Sequence, residues 1–181
     1  MHWMKVIMPV LLTVALSVTP ALCKTDDMVA SEYRIKAAFL YNFARFVSWP
    51  DSDTGNNGFS ICVLGTDPFG ELVDSLAGKQ VHNQELVIRR LSELTPEDNC
   101  QLVYISSENM MDLDATLSLL RANPVLTVSD MDDFITRGGI IRFRLANKKV
   151  RFDINIDAAN TAGLTISSKL LSLAHIVRDP Q

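Results

Sequence analysis

The chain has 181 residues, with 17 lysines and arginines against 21 aspartates and glutamates, a formal net charge of −4 and 48% hydrophobic residues. That is one ordinary domain with enough apolar material for a real core. The mildly acidic balance excludes a protein that binds nucleic acid or an anionic lipid surface through bulk charge.

Residues Met1 to Cys23 carry one basic side chain, Lys5, no acidic one, and a nearly unbroken apolar run from Val6 to Val18. The run is short for a bilayer span and fits the core of a secretory signal peptide. Ala21-Leu22-Cys23 supplies the small-residue pattern of a cleavage site. Cleavage is expected before Lys24, with cleavage after Ala21 as the second choice; bulky Leu22 in the place of a small residue disfavours a lipid-anchored start at Cys23, and an uncleaved membrane anchor is the alternative to cleavage. The reading is therefore a signal peptide over 1–23 and one domain over 24–181, working outside the cytoplasm. Two cysteines, Cys62 and Cys100, remain in that domain. An even pair in an exported protein suggests a disulfide. Its loop of about 39 residues would be worth roughly 4 kcal/mol on the loop-entropy model. Two buried free thiols in neighbouring strands are the alternative.

In chain order, the spacing predicts a first helix over Met28 to Ser48, stopped by Pro50. Ile35, Phe39, Phe43, Phe46 and Val47 share its core face, with Leu40 at the edge, and Tyr41 and Arg45 point away. Asp51 to Gly58 is a turn-rich loop. Phe59–Gly65 reads as a strand, and a helix follows from Asp67-Pro68 to Gly78. Leu86–Leu91 and Gln101–Ser106 are strands, Asp112–Ala122 a helix, Val125–Val128 a strand, and Asp132–Arg137 a short helix ended by Gly138-Gly139. Strands alternating with helices predict an α/β fold, Rossmann-like or flavodoxin-like, with a mostly parallel sheet and helices on both faces. A flavodoxin-like strand order makes the first and third strands neighbours, which brings Cys62 near Cys100.

The last third changes character. Ile140–Ala146 and Lys149–Ile154 both alternate strictly around Asn147-Lys148, which predicts an antiparallel hairpin. Its register sets Leu145 opposite Val150, Phe143 opposite Phe152 and Ile141 opposite Ile154 on one face. On the other, Arg142 meets Asp153 but Arg144 meets Arg151. Two helices are expected to close the chain, Ile156–Ala162 and Ser167–Val177, the second with a stripe of Leu170, Leu173, Ala174 and Val177.

The chemistry-bearing patterns are sparse. The turn Gly65 to Gly70 lacks the ending of a phosphate-binding loop, and Asp67 would repel a phosphate. His82 and His175 belong to no ligand-spaced cluster. No serine sits in a nucleophile elbow, and Asp130, Asp132 and Asp133 read more simply as a helix start. No catalytic, cofactor or metal site is expected. Two features exceed the needs of a fold. Tyr41, Arg45 and Trp49, off the core face of the opening helix, are residue types that anchor protein interfaces. The alternative is that this helix is sandwiched and buries a second face. The Arg144–Arg151 pair is unfavourable in a hairpin unless an anion bridges it. A carboxylate of a partner, of a second subunit or of a small acid would do so, and two side chains splayed into water are the alternative.

The segment from Tyr33-Arg34-Ile35-Lys36-Ala37-Ala38-Phe39-Leu40-Tyr41-Asn42-Phe43 to Trp49-Pro50 resembles the opening helix of the YfiR family. Gly138-Gly139-Ile140-Ile141, Arg151-Phe152-Asp153-Ile154-Asn155 and Gly163-Leu164-Thr165-Ile166-Ser167-Ser168-Lys169-Leu170-Leu171 are similar to its C-terminal signature. The resemblance implies a periplasmic α/β domain that can form a homodimer. It implies a repressor that binds the periplasmic part of an inner-membrane diguanylate cyclase and is sequestered by an outer-membrane lipoprotein. Cyclic-di-GMP output and biofilm formation follow from such a role. Cys62 and Cys100 match a disulfide position of the family, and the second C-terminal pair of some relatives is absent. The leading expectation is thus a regulatory binding protein for a diguanylate cyclase or a histidine kinase. The alternative is a small-molecule receptor or scavenger with a pocket at the carboxyl ends of the strands.

Overall fold

A computed structural model describes residues 24–50, 58–108, 112–121 and 123–179. The signal peptide expected over residues 1–23, and Asp51 to Asn57 of the expected turn-rich loop, lie outside the described residues. The chain runs through α1 (Lys24–Phe46), β1 (Val47–Ser48), β2 (Phe59–Leu64), α2 (Glu71–Asp74), β3 (Gln80–Val81), β4 (Gln84–Leu91) and a 3₁₀ turn at Pro96–Asp98. It continues through β5 (Leu102–Ile105), α3 (Leu113–Arg121), β6 (Leu126–Ser129), β7 (Ile141–Ala146), β8 (Lys149–Asn155), α4 (Ile156–Thr161), β9 (Thr165–Ile166), α5 (Ser168–Leu171) and β10 (His175–Val177).

Eight of these strands form one mixed sheet in the order β10-β8-β7-β6-β5-β2-β4-β3. The run from β7 to β4 is parallel throughout, while β7–β8 and β3–β4 are antiparallel hairpins and β10 lies parallel to β8. Alternation along the strands divides the core. Ile61 and Val63, Leu102 and Tyr104, and Leu126 and Val128 pack on the side covered by α1, α2, α4 and α5. Cys62 and Leu64, and Val103 and Ile105, pack on the side covered by α3 through Leu113, Leu117 and Leu120. Strands buried on both faces read as continuous apolar runs, which is why β2 and β5 carry Ile-Cys-Val-Leu and Leu-Val-Tyr-Ile.

Cys62 and Cys100 are joined in a disulfide, with Cα atoms 5.9 Å apart. The first and third predicted strands, β2 and β5, are neighbours as expected. The hairpin register also stands as read: Ile141 faces Ile154, Phe143 faces Phe152, Leu145 faces Val150, Arg142 faces Asp153 and Arg144 faces Arg151. Asn147 and Lys148 both take positive φ, 52° and 59°, the geometry a two-residue type I′ loop needs.

Four expectations are corrected. The core face of α1 is turned: Ile35 is 44% exposed, whereas Lys36, Ala37, Leu40, Phe43 and Ala44 are buried, with Phe39 and Phe46 half-buried at the margin. A face chosen by hydrophobicity alone omits Lys36, which is admitted because its charge is met inside the fold. The helix placed over Asp67 to Gly78 shrinks to α2. Asp67 caps a turn instead, accepting the Phe69 N–H at 2.7 Å, and Gly70 precedes the first helical residue. The helix placed over Asp132–Arg137 is a series of turns closed by Gly139 N–H donating to the Phe134 carbonyl. A Cβ on Gly139 would fall 2.3 Å from the buried Phe134 ring, so that turn requires glycine.

The closing helix Ser167–Val177 is divided. Ser167 caps the single turn α5, and the chain then straightens into β10, where His175, Ile176 and Val177 pair with Asp153, Ile154 and Asn155. The open edge of β8 competes for those backbone groups and wins. Leu173 of the expected stripe is left exposed, and only Leu170 is buried.

Candidate functional site

The end of α1 gathers three of the expected interface residues, but two of their polar tips are spent within the chain. The Tyr41 hydroxyl donates to the Gln80 carbonyl at 3.3 Å, and its ring lies between the Arg45 guanidinium and the Lys79 ammonium, at 5.5 and 5.2 Å. Trp49 packs edge-on against Phe59 and donates its indole N–H to the Gln101 carbonyl at 3.2 Å. Arg45 is exposed. His82, in the left-handed turn between β3 and β4, sets Nε2 2.9 and 3.0 Å from the carbonyls of Ala44 and Val47 and so serves the last turn of α1.

The outward face of the β7–β8 hairpin is organised by Asp153, whose side chain is 3% exposed. Its Oδ2 accepts from Arg142 Nε at 3.1 Å and from Arg142 Nη2 at 2.5 Å, and its Oδ1 accepts from Arg144 Nε at 2.7 Å. The Arg142 guanidinium also donates to the Asp132 carbonyl. Burial alone would raise the Asp153 pKa, but the Arg144 and Arg142 guanidiniums outweigh it and hold the carboxyl below its ordinary value. His175 Nδ1 lies 3.5 Å from the same carboxylate and ties β10 to this face. Arg144 is therefore turned toward Asp153, while Arg151 is exposed and has no ion-pair partner among the described residues.

A second polar cluster, missed from the sequence, lies where α1 crosses the carboxyl ends of the parallel strands. Lys36 Nζ is 2.6 Å from Glu32 Oε1 and 2.8 Å from Asp130 Oδ2, and the Tyr33 hydroxyl donates to the same oxygen at 3.3 Å. Phe69 joins Tyr33 and Tyr104 edge-on at 5.4 and 4.7 Å. Burial opposes the charge on Lys36, yet its bonds to Asp130 and Glu32 prevail and its pKa is raised. Burial, then the Asp130 charge, push Tyr104 upward, so both tyrosines of the cluster stay neutral. Asp130 Oδ1 is buried and has no hydrogen-bond partner among the described residues. Two signals were available in the sequence: Glu32 four residues before Lys36, and a carboxylate directly after a buried strand.

The receptor alternative puts a ligand pocket at the carboxyl ends of the strands, which hold this cluster. A cavity of about 220 Å³ opens at the amino ends, where Trp49, Phe59, Leu94, Leu120 and Val125 form apolar walls and Gln101 and Asn123 supply polar groups. Among the described residues no group of histidine, cysteine and acidic side chains is arranged to hold a metal ion, and no helix is long and apolar enough to cross a membrane.

Together these features define a disulfide-linked mixed α/β domain whose distinctive polar chemistry lies on a hairpin face and beneath its opening helix. Its central sheet is mostly parallel and is extended by a C-terminal antiparallel hairpin. The chain belongs to the YfiR/HmsC-like family, whose family model matches residues 33–175. That family is one of regulators of cyclic-di-GMP signalling. A comparison with curated proteins finds no match.

Proposed function

We propose that the protein is an exported, non-catalytic regulator that binds the extracytoplasmic part of an inner-membrane signalling protein, a diguanylate cyclase or a sensor histidine kinase, and biases its activity. The observation that carries this reading is the YfiR/HmsC-like match over most of the chain. Residues 1–23 act as the signal peptide, and residues 24–181 form one domain that resides in the periplasm. The Cys62–Cys100 disulfide supports an oxidising compartment. The central strand order supports a flavodoxin-like assignment of the parallel part. Preferential binding to one conformation of the partner, with a coupling of about 1–3 kcal/mol, gives a change of roughly 5- to 150-fold in its equilibrium. The contact residues on this reading are Tyr41, Arg45, Trp49, Arg144 and Arg151. A homodimer and an outer-membrane lipoprotein that sequesters the protein are further partners.

The test is a pull-down with the mature domain from a membrane extract, combined with cyclic-di-GMP measurement after deletion. Capture of a membrane cyclase or kinase together with a changed second-messenger level is expected. Absence of both overturns the proposal. The cavity at the amino ends favours a second reading, a receptor for a small neutral and largely apolar molecule. A thermal shift with such ligands that Trp49→Ala abolishes would support it.

A further inference from the structure

We propose that the outward face of the β7–β8 hairpin is a docking surface for an acidic, extended segment of another protein; this rests on the reading of the chain as a regulator acting by contact and assigns its partner a chemistry. The molecule is acidic overall, yet residues 141–152 hold Arg142, Arg144, Lys148, Lys149 and Arg151 and no carboxylate. The one acid that answers them, Asp153, has both oxygens committed, Oδ2 to Arg142 and Oδ1 to Arg144. Arg151 stands directly opposite Arg144, and Lys149 opposite Ala146, on this same face. Lys148, Lys149 and Arg151 are exposed and have no acidic partner among the described residues. Like charges facing each other across a hairpin are unfavourable, and an external anion reverses that sign.

The spacing selects the form of the anion. Lys149 and Arg151 are two residues apart on one strand face, so their side chains emerge about 7 Å apart. Alternate residues of an extended segment place carboxylates at the same interval. A guanidinium such as that of Arg151 can receive a carboxylate through two parallel bonds. A lipid surface fits less well, because membrane attachment joins charge to an inserted apolar group. The exposed apolar residue of the hairpin, Leu145, pairs with the buried Val150 and so belongs to the opposite face.

The test measures binding of a short peptide alternating Glu and Thr, and of its Gln–Thr counterpart, to the mature domain at low and at physiological salt. The domain carrying Lys149→Glu and Arg151→Glu is compared with one carrying Arg34→Glu and Lys169→Glu, which have the same net charge and alter exposed positions elsewhere. Circular dichroism checks each fold, and Arg151→Gln is the milder variant. The expected result is binding of the glutamate peptide alone, weakened by salt, about tenfold weaker in the hairpin variant and unchanged in the control. Equal loss in both variants, or none in either, overturns the proposal. So does binding by the wild-type domain to phosphatidylglycerol vesicles and not to the peptide.

The same variants, returned to a deletion strain, separate this proposal from the functional reading. If deletion alters cyclic-di-GMP and the hairpin variant restores it fully, the docking face falls and the regulatory role stands. If deletion alters nothing, the regulatory role falls, and the peptide measurement still decides the chemistry of the face.

Discussion

Lys36 and Asp153 are the two charges most deeply committed to the interior, and each is held by opposite partners. Removing one member of a buried pair leaves the other uncompensated, so Lys36→Met is expected to lower stability by about 3 kcal/mol, measured by urea denaturation. Adding Asp130→Leu to that variant should recover part of the loss, because the more buried of the two carboxylates that Lys36 meets is then removed as well. The folded-state pKa of Lys36 is raised, so its contribution is complete below the ordinary lysine value and is lost only as pH rises through the folded one. Asp153 has the opposite sign. Its folded pKa is depressed, so its contribution is present above the ordinary carboxyl value and disappears as pH falls through the lower folded one. Asp153→Asn should therefore cost about 2 kcal/mol at neutral pH and flatten the loss of stability below about pH 4 in acid titrations followed by circular dichroism.

At the scale of elements, short range and long range contribute differently. The hairpin was legible because alternation, a two-residue loop and three facing apolar pairs all require the same register. The α4 helix was legible at both ends, from Ile156 to the stop at Gly163, and its start is fixed by Asn155. That side chain is fully buried, accepts from the N–H groups of Asp157 and Ala158, and donates to Asp179 at 2.8 Å. Asn155→Ala removes the cap and one tie to the C-terminal segment together, and a loss of about 2 kcal/mol is expected in thermal or denaturant melts. The division of the expected closing helix is a long-range effect. A helical stripe and a short strand share the residues Leu170 to Val177, and only the availability of the β8 edge decides between them. The strands β1, β3, β9 and β10, two or three residues each, carry too little pattern to announce themselves.

Across the whole molecule, the disulfide joins β2 to the entrance of β5, two positions 38 apart in sequence, and the segment it closes includes α2, β3, β4 and the 3₁₀ turn. Reduction, or replacement of both cysteines by alanine, is expected to lower stability by up to about 4 kcal/mol. The measurement is a melting curve with and without a thiol reductant, with the double alanine variant as the control for side reactions. The β2–β4 segment packs against α1 through Val73, Leu76 and Val81, so the loss should spread to the whole α1 face and appear as one cooperative transition.

From the sequence alone came the apolar segments, the alternation of strands and helices, the hairpin with its register, and the proximity of Cys62 to Cys100. These follow from local periodicity and turn chemistry, and a residue's neighbours along the chain determine both. Only the tertiary structure decided which face of α1 turns inward, where Lys36 finds Asp130 across more than ninety intervening positions, and that Asp153 takes up Arg144 and leaves Arg151 open. A charge can be buried only where its partner already waits, and that partner is set by how distant segments meet.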